Sequence, residues 1–356
     1  MAEYYFSLPT LTRLSETQQD AVNDINAIAL SGGPGTGKSV VSLFRHIANH
    51  TKEHKIKSQL ITYTTSLALY LQECCKKESE SAAEHVDSSK HWRFNHPTQK
   101  DEIIHDEAQD LPIEFSQWLK NRSKKISYGA DDQQLIAAWA RNEDESFNLE
   151  KCSPEQELKK IFPNNTLHTL DTNYRNSKKI LRLAKQIFTH AEIPQELIES
   201  CKEGEEYPFP RLFISNGNQK KQCDVIIDII SQFHSDQAIN IGILVPFKST
   251  VDEFFNIVNS KFPDCTFYYE DQVKFPTGAK YISNLHVTTF KSCKGLEFDL
   301  VILPNFHCFK LKFKVVDWRD FYVGVTRSKS NLFLISNTDL PLASEGINKV
   351  IDKRVL

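Results

Sequence analysis

Two clusters in the first third of the chain have the residue types and spacing that phosphate chemistry requires. The run SGGPGTGKS at residues 31–39 follows the apolar stretch IAL and precedes VVSLFRHIA. It reads as a strand, a glycine-rich turn and an amphipathic helix. Gly32, Gly33, Gly35 and Gly37, with Pro34 and Thr36 between them, let the backbone curl so that its N–H groups face a phosphate. Lys38 then meets the β- and γ-phosphates, Ser39 offers a hydroxyl to Mg²⁺, and the helix turns its positive end to the anion. The second cluster is KDEIIHDEAQDLP at residues 100–112. Ile103 and Ile104 read as the end of a buried strand, so Asp106 and Glu107 fall at its carboxyl edge, where α/β sheets place ligands. One carboxylate there holds a hydrated Mg²⁺ and its neighbour orients the attacking water, and the assignment is Asp106 to the metal and Glu107 to the water. His105 reads as a structural residue.

These groups need a framework to position them. A chain of 356 residues exceeds what one hydrophobic core organises, which predicts two domains. With 40% hydrophobic and 25% charged residues, both can be globular. The net charge of -3 excludes a protein that coats nucleic acid by overall charge, so any such contact must be a local groove. The 8 cysteines include no CxxC pair and read as reduced and structural. No apolar run approaches the roughly 20 residues of a membrane helix, and the start lacks a signal peptide's layout. A cytoplasmic location is the expectation.

GPGTGKS together with DEAQD resembles the superfamily 1 helicases of the UvrD/Rep type, and further segments follow that family's order over roughly residues 11 to 336. LSETQQDAV resembles its glutamine motif, which implies that Gln18 binds the adenine edge; a plain surface glutamine is the alternative. LITYTTSLALYL resembles motif Ia, implying that Tyr63 and Thr64 touch single-stranded nucleic acid, although Tyr63 also suits a half-buried strand. ISYGADDQQLIAAWA resembles motif III, with Gln133 as γ-phosphate sensor. Ile136 and Ala138 stand there where aromatic residues are usual, and Trp139 comes one position late. TLHTLDTNYRNSKKIL resembles motif IV, with Arg175 as an arginine finger. VTTFKSCKGLEFDLVIL resembles motif V, implying that Gly295 and Glu297 serve the nucleotide, Glu297 at the ribose, and that Thr289 and Lys291 face a phosphate backbone. FYVGVTRSKSNLFLI resembles motif VI, with Arg327 as a second arginine for the γ-phosphate. SSKHW is similar to a remnant of motif Ib, where Trp92 either stacks on a base or anchors a short loop.

The expected architecture is α/β: two RecA-like P-loop NTPase domains with mainly parallel sheets, residues 1–165 and 166–356, and ATP in the interdomain cleft. The sites usual for large inserts in that family, between motifs Ia and II and between motifs IV and V, are short here. Expected partners are single-stranded or end-bearing DNA, with RNA open, and a protein such as a nuclease. Three functions compete: a translocating motor, an ATP-gated DNA sensor that controls a partner in repair or anti-phage defence, and a P-loop protein of another class such as a nucleotide kinase. The ordered motifs of the second half disfavour the third.

Overall fold

The computed structural model describes residues 4, 8–51, 56–95, 98–136, 152–235, 238–269, 282–310, 316–339 and 350–356. They divide into two compact units, a front unit of Phe6–Asn173 and a rear unit of Met1–Tyr5 with Tyr174–Leu356. The front unit carries strands β1 (Ile28–Ser31), β2 (Ser58–Thr62), β3 (Val86–Ser88), β4 (Glu102–His105), β5 (Lys125–Ala130) and β6 (Thr166–Thr169). They form one sheet in the order β3-β2-β4-β5-β1-β6, with every pairing parallel. Its helices are α1 (Glu16–Asn23), α2 (Lys38–Thr51), α3 (Thr65–Lys76), α4 (Glu80–Ala83), α5 (Ser89–Asn95), α6 (Ile113–Leu119) and α7 (Glu155–Ile161). Parallel strands need crossovers that cover both faces, which is why β2 and β4 are buried at every residue.

The rear unit repeats this plan. It contains β7 (Arg211–Ile214), β8 (Ile241–Val245), β9 (Thr266–Tyr268), β10 (Leu285–Thr289), β11 (Phe298–Leu303), β12 (Ser328–Ser336) and β13 (Asp352–Val355). Their order is β13-β7-β12-β11-β8-β10-β9, again with parallel pairings throughout. Helices α8 (Lys178–Ile187), α9 (Gln195–Glu199), α10 (Gln219–Phe233), α11 (Lys248–Asn259) and α12 (Trp318–Thr326) complete it. Ile226, Ile229 and Ile230 of α10 and Val251, Phe254 and Val258 of α11 recur at helical spacing and pack on Ile241, Ile243 and Val287 of the sheet. Two mainly parallel α/β sheets are therefore present, as expected. The division falls later than residue 165 because β6 pairs with β1 in the front sheet. Among the described residues no helix is long and apolar enough to cross a membrane.

The front unit is braced at the amino edge of its sheet by a buried ion network. Arg45 of α2 donates from Nε to Glu102 Oε1 at 2.8 Å and from its two terminal nitrogens to the carbonyls of Ala21, Asp24 and Asn26. Asn49 and Ser127 add donors to the same carboxylate at 2.7 and 2.6 Å. Every part of the guanidinium is thus answered, which a fully buried charge requires. Glu102→Gln should cost about 3 kcal/mol by leaving that cation without its carboxylate. Urea unfolding followed by a front-unit probe would measure it, and a loss under ~1 kcal/mol would contradict the assignment.

Among the described residues three histidines are buried in the two cores, and burial pushes His46, His105 and His286 down to about 3. The ring of His105 packs against Phe115, with centroids 5.7 Å apart, which fits its expected structural role. An unfolded histidine titrates near ~6.5, so the unfolded chain binds more protons in the window between the two values. The stabilisation is complete above pH ~6.5 and is lost as pH falls towards 3, at up to about 1.4 kcal/mol per pH unit for each group. Denaturation midpoints should be level from neutral to mildly alkaline pH and fall steeply below ~6. His105→Phe should flatten that fall for the front unit, and an unchanged slope would refute the account.

Candidate nucleotide site

The site is built at the carboxyl edge of the front sheet. Strand β1 lies between β5 and β6, so residues 32–37 leave the sheet with a strand end on either side. The loop folds around Lys38, whose Nζ donates to Gly32 O at 2.6 Å and Gly33 O at 3.0 Å and lies 3.6 Å from Asp131 Oδ2. Gly32, at φ 153°, has no room for a side chain: a Cβ there would lie 2.4 Å from Leu170 O and 2.9 Å from Thr36 Oγ1. Thr36 Oγ1 closes the loop by donating to Gly33 O at 2.9 Å.

Outside groups hold the loop in place. Gln18 is buried beside it, accepting from Ser15 N and donating to Thr36 O, each at 3.0 Å. The residue expected at the adenine edge thus also fastens the phosphate loop to the start of α1. Asn173 Nδ2 donates to Pro34 O at 2.6 Å, a contact the sequence reading did not anticipate. Ser39 is half-buried in the first turn of α2.

Asp106 and Glu107 follow β4 directly, and both are buried. The Asp106 backbone N–H donates to Ile61 O at 2.8 Å, continuing the ladder to β2. Glu107 sits at φ 57° and ψ 41°, a left-handed conformation costly for a residue with a side chain. Gln109 Nε2 donates to its Oε2 at 2.7 Å, which orients the carboxylate. Gly129 of β5 explains how the lysine and the acid come close: a Cβ at that position would lie 3.2 Å from Asp106 Oδ1 and 3.7 Å from Lys38 Cβ. A glycine inside a strand was the available signal for that approach. Oxygen donors at Ser39 and Asp106 suit a hard cation such as Mg²⁺, which takes few protein ligands and completes its shell with phosphate oxygens and water.

The next turn, after β5, gathers further acids. Asp131 accepts from Gln133 N at 3.0 Å and from the Gln134 amide. Gln133, the expected sensor, is half-buried there. Asp110 Oδ1 accepts from Ile136 N at 3.0 Å, tying the DEAQD segment to this turn. Glu155 accepts from Ser31 Oγ at 2.7 Å, and its N–H donates to Asp132 Oδ1 at 3.0 Å. Burial raises both carboxyls, Glu155 and Asp132, above the usual range.

In the rear unit the matched arginines gather around one stretch of chain. Arg175 Nε donates to Glu297 Oε2 at 3.0 Å, and Lys329 Nζ lies 2.8 Å from Glu297 Oε1. Burial works to raise the Glu297 carboxyl, but the Lys329 and Arg175 charges hold it down at about 2. Glu297, expected at a ribose, is here engaged in orienting Arg175. Arg327 is buried at the end of α12 and donates to Val323 O at 3.2 Å and Leu296 O at 3.4 Å. Gly295, with φ 82°, lies in the same stretch.

The residues expected to touch nucleic acid fare unevenly. Tyr63 is half-buried immediately beyond β2. Thr64 is buried, and its hydroxyl caps α3 by accepting from Leu67 N at 3.2 Å. Trp92 is 1% exposed and packs edge-on against Trp118 within the front core, so it anchors α5 and offers no face to a base. Thr289 is buried in a turn with Ser292, whereas Lys291 is partly exposed, 3.7 Å from Asp320. Trp139 lies outside the described residues. Trp92 thus lies where the loop-anchor alternative would put it, and the hydroxyls of Thr64 and Thr289 are engaged within their own turns.

The two close-approach glycines should differ in their response to alanine. Gly32→Ala must displace a backbone carbonyl from a positive-φ position and should cost about 2 kcal/mol or more. Gly129→Ala meets only a carboxylate that can shift slightly, so it should cost under ~1 kcal/mol. Unfolding curves of the two variants test the order, and equal stabilities would contradict the crowding described.

Residues 17–139 match the family model of the AAA domain. A stretch of 66 residues, 18% of this chain, is 35% identical to the RecBCD enzyme subunit RecB of Chlamydia muridarum (strain MoPn / Nigg), and spans only 6% of that protein's length. A solved C-terminal domain of a possible DNA helicase from Lactobacillus plantarum WCFS1 aligns with 51% of this chain and 99% of its own, at 18% identity and a TM-score of 0.37. The glycine-rich loop and the Asp106–Glu107 pair both fall inside the matched segment.

Proposed function

We propose that the chain is a nucleic-acid-dependent ATPase of the UvrD/Rep-like superfamily 1 helicase type, coupling hydrolysis to binding of, and movement along, single-stranded DNA. The observation that carries this reading is the placement of Lys38, Asp106 and Glu107 at one sheet edge, with Gly129 lying beside both Lys38 and Asp106, inside a segment that matches the AAA domain model. In this reading the phosphates displace the loop carbonyls from Lys38, and the loop N–H groups take the remaining phosphate oxygens. Glu107, held by Gln109, orients the attacking water. Ser39 and Asp106 hold Mg²⁺, which neutralises charge on the phosphates. Gln133 senses the γ-phosphate, and Arg175 and Arg327 supply positive charge for the transition state. Tyr63 and Lys291 are the proposed contacts to the strand.

A second reading is an ATP-gated DNA sensor that controls a protein partner such as a nuclease in the cytoplasm. It is favoured by the connection between α3 and β4, which contains only α4, β3 and α5 among the described residues and turns its tryptophan into the core. A motor displaces a tailed strand alone, whereas a sensor shows stimulated turnover without displacement.

Turnover should rise with single-stranded DNA relative to duplex DNA or RNA. Lys38→Ala and Glu107→Gln should each abolish it, with Glu107→Gln still binding ATP. Arg175→Ala should lower kcat by about 10³ with little change in nucleotide affinity. Near wild-type turnover in either of the first two variants would refute the site, and equal losses of rate and affinity in the third would reduce Arg175 to a structural residue.

A further inference from the structure

The second of the two places where the chain passes between the units, at residues 173–174, is flanked by two buried asparagines whose side chains bind in opposite directions along the chain. Strand β6 runs parallel to β1, so its carboxyl end emerges beside the phosphate loop. Leu170 N donates to Ser31 O at 2.8 Å, and Leu170 O lies against Gly32. Asn173 then donates to Pro34 O at 2.6 Å. Tyr174 and Arg175 follow. Asn176 donates to Thr326 O at 3.0 Å and to Ser328 O at 2.7 Å, the carbonyls on either side of Arg327. Ser177 N reinforces that end by donating to Lys329 O at 3.0 Å. Both asparagines are buried, at 1% and 0% exposure, so neither bond is readily exchanged for water.

We propose that Asn173 and Asn176 are positioning residues that make residues 173–176 a strut, fixing the phosphate loop at one end and the flanks of Arg327 at the other, with Arg175 carried between them. The proposal rests on the nucleotide reading above. A planar amide fixes the direction of its two N–H groups, and Asn176 uses both. Nucleotide entry that reshapes the loop moves the Pro34 carbonyl, and the Asn173 bond delivers that displacement to the backbone of Arg175.

Hydrogen–deuterium exchange tests this on the full chain carrying Glu107→Gln, with and without Mg²⁺ and ATP. With the strut intact, ATP should slow exchange at residues 32–39 and also at 174–178, the latter by roughly fivefold. Asn173→Ala and the shape-matched Asn173→Asp, which has no donor at neutral pH, should keep the response at 32–39 and lose it at 174–178. Asn176→Ala should keep the response at Arg175 and lose it around residues 326–329. An undiminished response at 174–178 in both Asn173 variants overturns the strut and leaves the nucleotide reading intact. No response at 32–39 in the parent overturns both. Should Asn173→Ala unfold, the isosteric Asn173→Asp decides alone.

Discussion

A buried ammonium has to be answered, and Lys38 is answered by the loop that presents it. Its partners are two carbonyls of its own turn and the Asp131 carboxylate, all from the front unit. Much of the surrounding geometry follows from satisfying that one charge. The loop must curl tightly, which brings Gly32 against Leu170 O and requires a residue without a side chain. Leu170 is there because β6 lies parallel to β1, and Asp131 is there because β5 lies on the other side. The same arrangement carries Asp106 to the lysine across Gly129. A triphosphate bound as proposed would offer Lys38 stronger, charged acceptors than peptide carbonyls. Exchange of one set for the other is therefore a natural source of movement in the loop and in whatever is hydrogen-bonded to it.

The rear unit handles charge differently. Its parallel sheet puts the end of β10 and the start of β11 at opposite edges, so residues 290–297 cross from one edge to the other without a helix. Lys291 lies near the first edge, and Gly295, Leu296 and Glu297 approach the second, where Arg175, Arg327 and Lys329 gather. Three cations close together would repel, and Glu297 is what lets two of them approach. Its carboxylate stays ionised far below neutral pH because Lys329 and Arg175 flank it, despite burial working the other way. A short crossing thus joins the part proposed to meet the strand to the part proposed to meet the phosphate.

The sequence made the front of the molecule easy to read for a physical reason. Phosphate binding through backbone N–H groups restricts every side chain along the turn, so GPGTGKS leaves few alternatives. Parallel strands buried on both faces are equally legible, as IGILV and FDLVIL show. The unit boundary was less so, because TLHT alternates exposed and half-buried residues and reads as an edge element whose partner cannot be seen locally. Side-chain direction was the least legible property. Trp92 and Thr64 sit where a groove residue is wanted, but one fills a core beside Trp118 and the other caps a helix. Gly129, Asn173 and Lys329 were not singled out, since each acts through a partner distant in sequence, and only the intra-strand glycine left a local trace; Gln109 acts on Glu107 two residues away, but its side-chain direction could not be read from the DEAQD string.

The burial of those candidates bears on how this chain would hold nucleic acid. A net charge of -3 gives no general attraction to phosphates, and of the expected contacts among the described residues only Tyr63 and Lys291 retain exposed surface. Lys291 also has the carboxylate of Asp320 nearby, which offsets its field. In the proposed reading, a strand contact centred on Tyr63 and Lys291 would itself carry little net positive charge. Were that contact to alternate with a nucleotide cycle, as proposed, it would have to differ between the two states, because a contact that binds both equally tightly shifts nothing between them. In the proposed reading, coupling would therefore depend on how a strand contact differs between nucleotide states rather than on how tightly the strand is held.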